Sequence, residues 1–422
     1  ESLTAEEQRL SNIIKTKEVS AYLKDNNIHS VYVGKKQTNG VLTDKLSLVF
    51  VVSEKRPIND LKGSTPIPKT ILSALTDVRV AKIAEMLGDN GCNDCNGPYP
   101  CTGHSHASTP TMTNIYGGVG IYYNSGGTYG FTAIATDAIG NEHIVGVTNN
   151  HVLGQYSSPG ICGSQTQPTG TVYPVKPVGN SFGKIDNNPI GTAWKNARTT
   201  ATNNKVDVGI MHLNENFANT ITYGLSTGPY EWITEQEFNS VPIGTQIYKS
   251  GARTGIVTKF AEITAKTSSL NVKLGCNQIV GFIDCITVHG TNTKHKNDNG
   301  YRIASNGDSG SPIFLLINGK LKLLGLLFAG SCEGFNDNPS DQYNPDRIEN
   351  YAIVCKIWNI AAYYQTNYSI TLSPYTDWKK LTETDSCVNI TFPNVAPLQD
   401  KTLNYTNTSV TTIQTHNIFS TC

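Results

Sequence analysis

The chain has 422 residues, 38% of them hydrophobic and 16% charged, with 33 basic residues against 33 acidic ones. That neutral balance offers no electrostatic handle for nucleic acid or an anionic membrane, and no apolar run approaches the roughly 20 residues needed to cross a bilayer. The length is too great for one ordinary core and implies two or three domains.

Residues 1–88 read as a small α+β domain. Thr4 and Glu7 have the spacing of a capping box, which satisfies free N–H groups at a helix start. Leu10, Ile13, Ile14 and Leu23 then form an approximately helical stripe. HSVYVGKK (29–36) and LSLVFVV (46–52) read as strands around the Asn39-Gly40 turn, and DVRVAKI (77–83) as a third. This unit shows no chemistry of its own.

Residues 89–113 form a linker rich in Gly, Asn, Pro and Cys. Cys92, Cys95 and Cys101 with His104 have a spacing that suits a tetrahedral zinc site. Disulfides are the competing reading, and an oxidising exterior favours them. The expectation is therefore no metal and no cofactor, with zinc at this cluster as the weaker alternative.

From 114 onward, short β-like runs are separated by Gly, Asn and Pro, the pattern of a sandwich or barrel. The runs include FTAIAT (131–136), HIVGVT (143–148), KVDVGIM (205–211) and SPIFLLI (311–317). The last precedes Asn318-Gly319 and KLKLLGLLF, the strongest hairpin signal in the chain. Cys276 and Cys285 flank another expected hairpin and could bridge it. IWNIAAYYQ (357–365) reads as a closing helix.

Residues 367–422 are a Thr- and Asn-rich tail holding the sequons at Asn367, Asn389, Asn404 and Asn407, along with Cys387 and Cys422. The ten cysteines, low charge and sequons favour an extracellular protein or one on a virion surface. The chain begins at Glu1 with no signal-like run, so a leader is expected to have been removed.

The chemistry centres on NGDSGSP (306–312). A serine hydroxyl needs a base to take its proton and an acid to orient that base. It also needs preorganised N–H donors for the oxyanion. Ser309 is the candidate nucleophile, and the N–H groups of Gly307 and Ser309 are candidates for the oxyanion hole. His151 in VTNNHVLG (147–154) is the base candidate; His104, His106, His289 and His295 lie in less suitable surroundings. Asp207 in KVDVGIM is the orienting candidate. Val206, Val208 and Ile210 alternate onto one face of that run, and Asp207 is expected on the other. A surface-facing Asp on a half-buried strand is the competing reading.

The order His151, Asp207, Ser309, with NNHV (149–152), VDVGI (206–210), KSGARTG (249–255), GDSGS (307–311) and GLLFAG (325–330), resembles the chymotrypsin/trypsin-like serine peptidase clan. The likeness is greatest to bacterial and phage members with an N-terminal α+β domain, and it covers roughly residues 1–366. It implies a mainly β fold: a double β-barrel peptidase domain over 114–366, with His151 and Asp207 in the first barrel, Ser309 in the second and the active site between them. The implied function is hydrolysis of polypeptide substrates, with self-processing of the chain as an added expectation.

The resemblance also places Phe328-Ala329-Gly330 where animal members carry Ser-Trp-Gly beside the substrate backbone, so no hydroxyl at 328 can support Asp207. In animal members a freed N-terminus pairs with the Asp preceding the nucleophile; here over 100 residues come before the first barrel, and Asp308 needs another partner. Ile303 and Ala304 fall at the expected base of the specificity pocket, with Phe328 and Gly330 on its walls. None carries a charge, so an apolar or aromatic residue is expected before the cut; Arg302 nearby is the feature that could favour an acidic one instead. A different class remains open: a structural or binding component of a virion surface or extracellular filament, built on a peptidase fold. In that reading the tail would serve a homo-oligomer or an assembly partner.

Overall fold

The computed structural model describes residues 5–39, 41–61, 65–86, 117–123, 126–154, 167–178, 181–184, 188–214, 217, 225, 230–257, 261–274, 278–290, 303–304, 306–330 and 351–376. The chain divides into two compact units, Glu1–Trp378 and Lys379–Cys422. The second lies outside the described residues, as do the sequons at Asn389, Asn404 and Asn407. So do the linker cysteines with His104 and His106. No described helix is long and apolar enough to cross a membrane.

The fold is mainly β and is built on two sheets. In one, neighbouring strands run Gly255–Val257, Tyr248–Gly251, Pro312–Ile317, Lys320–Gly330, Tyr351–Lys356, Ile279–Gly290, Ala261–Lys273, Ile28–Thr38, Val41–Val52, Ala74–Val80 and Thr70–Ile71. Backbone bonds from Ile247 to Ala261 (2.9 Å) and from Ile263 to Thr245 (2.9 Å) also tie Ala261–Lys273 to the chain entering Tyr248–Gly251. The other sheet runs Thr371–Pro374, Phe131–Thr136, Glu142–Thr148, Gly209–Leu213, Gly191–Asn196, Thr171–Val178, Gly120–Tyr122 and Gly126–Thr128. The main core joins the two. Phe131, Val145, Val147 and Val208 from one side pack in a single cluster with Ile263, Leu326 and Val354 from the other.

The N-terminal hairpin explains its own sequence. Ile28–Thr38 and Val41–Val52 pair antiparallel, with Asn39 in the left-handed region (φ 51°) that Asn tolerates better than most residues. Successive side chains face opposite sides. Val31, Val33, Leu48, Phe50 and Val52 pack on Leu10, Ile13 and Ile14 of the helix Ala5–Ile14. Tyr32, Val49 and Val51 enter the main core. Both faces are covered, so the run is continuously apolar rather than alternating. Ser30, Val31 and Tyr32 pair with Leu270, Ser269 and Ser268, so this hairpin continues the sheet that leads to Ser309.

Local differences from the sequence expectation have simple causes. The helical stripe breaks after Ile14: Thr16 Oγ1 bonds the Ile13 carbonyl at 2.7 Å, and a second helix, Lys17–Tyr22, begins. Leu23 caps that second helix. The third strand is Ala74–Val80, parallel to Val41–Val52; residues 81–83 leave it, and Ala84–Met86 forms a separate strand. Cys285 is a free, buried thiol, and Cys276 lies outside the described residues. The turn at Asn318-Gly319 has φ 52° and 75°, the pair of positive angles that a tight hairpin turn demands.

The closing helix, Ile357–Tyr368, ends at Ser369 in the left-handed conformation (φ 54°). Asn367 is exposed in its last turn. Tyr364 Oη and Tyr368 Oη donate to the carbonyls of Lys195 (3.0 Å) and Asn196 (2.7 Å), which lie in the second sheet. The chain then adds Thr371–Pro374 to the edge of that sheet, against Phe131–Thr136. The helix start is held by Asp284, which accepts from Lys356 Nζ (2.6 Å) and Asn359 Nδ2 (3.0 Å). Burial works against the Asp284 carboxylate, but Lys356 and Asn359 outweigh it and hold the carboxyl below its usual range.

A folded-state pKa below the unfolded value gives stability that is present above about pH 4 and lost as pH falls through the folded value. Asp284→Ala should therefore lower unfolding free energy by about 2 kcal/mol at neutral pH. Denaturant titrations should find the gap between wild type and variant closing as pH falls through the lowered folded-state value of the Asp284 carboxyl.

Candidate active site

His151, Asp207 and Ser309 meet. His151 sits on the short helix Asn150–Leu153, directly after the strand Glu142–Thr148, and is 5% exposed. Asp207 lies just ahead of the strand Gly209–Leu213 and is fully buried between Val206 and Val208, which are buried too. The expected alternation of faces does not hold there, because residues 205–208 precede the regular strand. The surface-facing reading of Asp207 is thereby excluded.

The carboxylate accepts from His151 at two points. Nδ1 of the ring bonds Oδ2, and the His151 backbone N–H bonds Oδ1 at 3.3 Å. The Asn149 amide donates to the Asp207 carbonyl at 2.7 Å, and the Asp207 N–H reaches Cys355 Sγ at 3.2 Å. Support for the acid thus comes from the histidine's own backbone rather than from a hydroxyl at position 328. A carboxylate can only accept, so Nδ1 carries the ring proton and Nε2 keeps a lone pair. Nε2 lies 2.6 Å from Ser309 Oγ and accepts its proton in the hydrogen bond.

The loop bearing Ser309 is shaped by glycines. Gly307 and Gly310 have φ of 88° and 93°, angles that L side chains rarely adopt. A Cβ at Gly310 would also run into the Thr128 carbonyl and Thr148 Oγ1. Thr128, from the other sheet, holds this loop at two points: its N–H donates to Ser309 O (2.7 Å) and its Oγ1 to Gly307 O (2.7 Å).

The partner of Asp308 is Lys249. Nζ lies 3.2 Å from Oδ2, and both side chains are wholly buried. Asp308 Oδ1 accepts from the N–H groups of Arg253 (3.0 Å) and Thr254 (3.1 Å), and Oδ2 from Thr254 Oγ1 (2.7 Å). Burial draws the Lys249 ammonium below its ordinary pKa, with Asp308 pulling the other way. A Cβ at Gly251 would strike both Asp308 and Lys249, so the tight fit needs glycine there. KSGARTG stood out in the sequence, but the pairing of its lysine with an acid some sixty residues later left no local pattern. An acid without an assigned partner beside an unassigned lysine in a motif was the signal available.

The expected pocket residues occupy different settings. Ile303 and Ala304 are buried in the main core. The Phe328 ring is fully buried and packs against Phe282 with centroids 4.6 Å apart. The Phe328 carbonyl, not its ring, faces Ser309, 3.4 Å from its Oγ. Gly330 pairs with Ala352 on one side and Glu85 on the other. Arg302 lies outside the described residues. Among the described residues no cluster of His, Cys, Asp or Glu could hold a metal.

No family model and no curated protein matches the chain. Among solved structures it is similar to a glutamic-acid-specific serine protease described as using a novel histidine triad in substrate binding. That match has 17% identity over 61% of this chain and all of the other, with a TM-score of 0.37. It is also similar to the Rv3671c protease in its inactive form, at 14% identity over 56% of this chain and 87% of that one, with a TM-score of 0.26. The chemistry rests on the side chains above.

Removing the Lys249 charge strands the buried carboxylate of Asp308 beside Ser309. Lys249→Met should cost about 3–5 kcal/mol in denaturant unfolding. It should also slow labelling of Ser309 by a serine-directed fluorophosphonate at least about tenfold, as the loop loses its anchor.

Proposed function

We propose that the chain is a serine endopeptidase of the trypsin-like type. The observation that carries this reading is the unbroken path from a fully buried carboxylate, through the imidazole, to the serine hydroxyl. Ser309 Oγ attacks the scissile carbonyl while His151 Nε2 takes its proton. Asp207 stabilises the imidazolium and keeps the ring oriented. The N–H groups of Gly307 and Ser309 receive the oxyanion; the positive φ of Gly307 supports that role. His151 then returns the proton to the leaving amine, and water releases the acyl group by the same steps in reverse. The division of labour between two sheets, with base and acid on one and nucleophile on the other, supports the double-barrel reading, as do the backbone bonds that join Ala261–Lys273 to the chain before Tyr248.

For specificity we propose a preference for an apolar or aromatic residue before the cut. Ile303 and Ala304 bring no partner for an ammonium group, and burying one unpaired would be costly.

Ser309→Ala should reduce peptide hydrolysis at least about a thousandfold while leaving the thermal midpoint nearly unchanged. A hydrolysis rate equal to wild type would refute the assignment. Digestion of a peptide library should give cuts mainly after apolar or aromatic residues. Dominant cleavage after Lys or Arg would overturn the pocket assignment while leaving the nucleophile intact.

A further inference from the structure

The backbone of Asp207 is tied to both sheets. Its carbonyl accepts from Asn149, next to His151, while its N–H crosses to Cys355 Sγ at 3.2 Å. Cys355 lies on Tyr351–Lys356, in the sheet that continues from Ser309 through Pro312–Ile317. One row of residues runs across three strands of that sheet. Leu326 pairs with Cys355 on one side and with Pro312 on the other. Pro312 opens the strand that follows the Ser309 loop. The next residue along, Leu327, bonds that loop directly: its N–H donates to Ser311 O (3.0 Å) and its carbonyl accepts from Gly310 N (2.8 Å). The sulfur that holds Asp207 and the loop that holds Ser309 are thus set by one register. The strands in that row sit close, since a Cβ at Gly325 would run into the Cys355 carbonyl.

A thiol suits this place. Cys355 is fully buried and belongs to the main core with Val206, Val208, Ile286 and Val354. A backbone N–H buried there needs an acceptor. Sulfur accepts weakly, and its S–H asks for little in return. A hydroxyl would accept more strongly but would bring a donor needing its own partner in an apolar core. Burial foremost, then Cys285 and Asp207, push the Cys355 thiol well above its usual range, with the Asp207 N–H acting the other way. The sulfur beside the acid therefore stays a neutral thiol, and no thiolate repels the carboxylate.

We propose that Cys355 is a positioning residue: its sulfur, fixed in the row Cys355–Leu326–Pro312, sets where Asp207 stands relative to Ser309 and so where the imidazole between them reaches both. The proposal rests on the peptidase reading of Ser309 and adds a residue that acts only through Asp207. Without the acceptor, the Asp207 N–H must turn toward another group or admit water, and the carboxylate moves with its backbone. Those oxygens hold the His151 N–H and Nδ1, so the ring follows. A small displacement of this kind is costly to a proton transfer that depends on alignment.

Three variants of the full chain separate positioning from packing. C355S keeps an acceptor; C355A and C355V remove it, one leaving space and the other filling it. Positioning groups Ala with Val against Ser, whereas packing alone orders the three by size. C355A and C355V should each lower kcat for a peptide substrate at least about tenfold with KM changed less than about twofold, and C355S should stay within about threefold of wild type. C355S should still melt below wild type, because its hydroxyl proton lacks a partner. The His151 Nδ1 proton, assigned in the NMR spectrum by its loss in H151A, should keep its downfield position in C355S and move upfield in C355A and C355V as its bond to Asp207 weakens. Wild-type kcat with an unmoved proton in folded C355A or C355V overturns the proposal. So does wild-type behaviour of C355V beside losses in both C355A and C355S. In wild type itself the Asp207 amide should exchange with deuterium no faster than that of Ile210 in the adjoining strand; free exchange overturns the proposal without any variant. The same pattern of proton shifts with no peptide hydrolysis by wild type supports the positioning role and overturns the peptidase reading alone.

Discussion

One threonine holds the two sheets in register at Ser309. Thr128 belongs to the sheet that carries His151 and Asp207, yet its N–H and hydroxyl bind the carbonyls of Ser309 and Gly307 on the other. Its own carbonyl accepts from Thr148 Oγ1 at 2.6 Å, and Thr148 closes the strand leading to His151. His151 and Ser309 are therefore connected twice, once through the imidazole and once through this threonine pair. The backbones can approach so closely only because Gly310 has no side chain. A hydrogen bond of 2.6 Å between groups on separate sheets needs such a second tie, since small shifts in sheet packing would otherwise misalign it.

The neighbourhood of the site carries an unusual load of buried charge. Asp207, Asp308 and Lys249 are all fully buried. Each unpaired charge would cost several kcal/mol, and none is unpaired. Asp207 is satisfied by His151, and Asp308 by Lys249 together with the 253–254 backbone and Thr254. The two networks differ in purpose. The first includes the groups proposed to react. The second sits behind the nucleophile loop and fixes its shape with an internal lysine, so that no newly cut chain end is required for Asp308 to find its cation.

What could be read from the sequence follows from how local each signal is. Strands such as Phe131–Thr136 and the Asn318-Gly319 hairpin rest on neighbouring residues, and their patterns are explicit. Ser309, His151 and Asp207 stand out because each sits in a short stretch with a chemical reason to exist, even though the three are far apart in sequence. The Lys249–Asp308 pair was hidden because neither residue's neighbours indicate the other. Asp207 was expected on a strand face, whereas burial on all sides comes from tertiary packing that periodicity does not encode. The pairing of Ala84–Met86 with Ala329 and Gly330 is invisible for a further reason. Three residues on a sheet edge pair through backbone atoms, and backbone pairing leaves no side-chain signature. Cys285 misled in the opposite direction: a cysteine near a hairpin suggested a bridge, and its burial as a free thiol reflects its use as a small apolar side chain.

The strand Thr371–Pro374 also constrains the order of events during synthesis. It occupies the edge of the sheet bearing His151, but it is the last described strand to leave the ribosome. Until it emerges, Phe131–Thr136 presents an open row of donors and acceptors, a template for pairing with other chains. The loop bearing Ser309 is complete well before that edge is closed. The nascent protein therefore passes through an interval in which His151, Asp207 and Ser309 are made but one sheet is unfinished, and the end of that interval is timed by translation of the closing helix and the few residues beyond it.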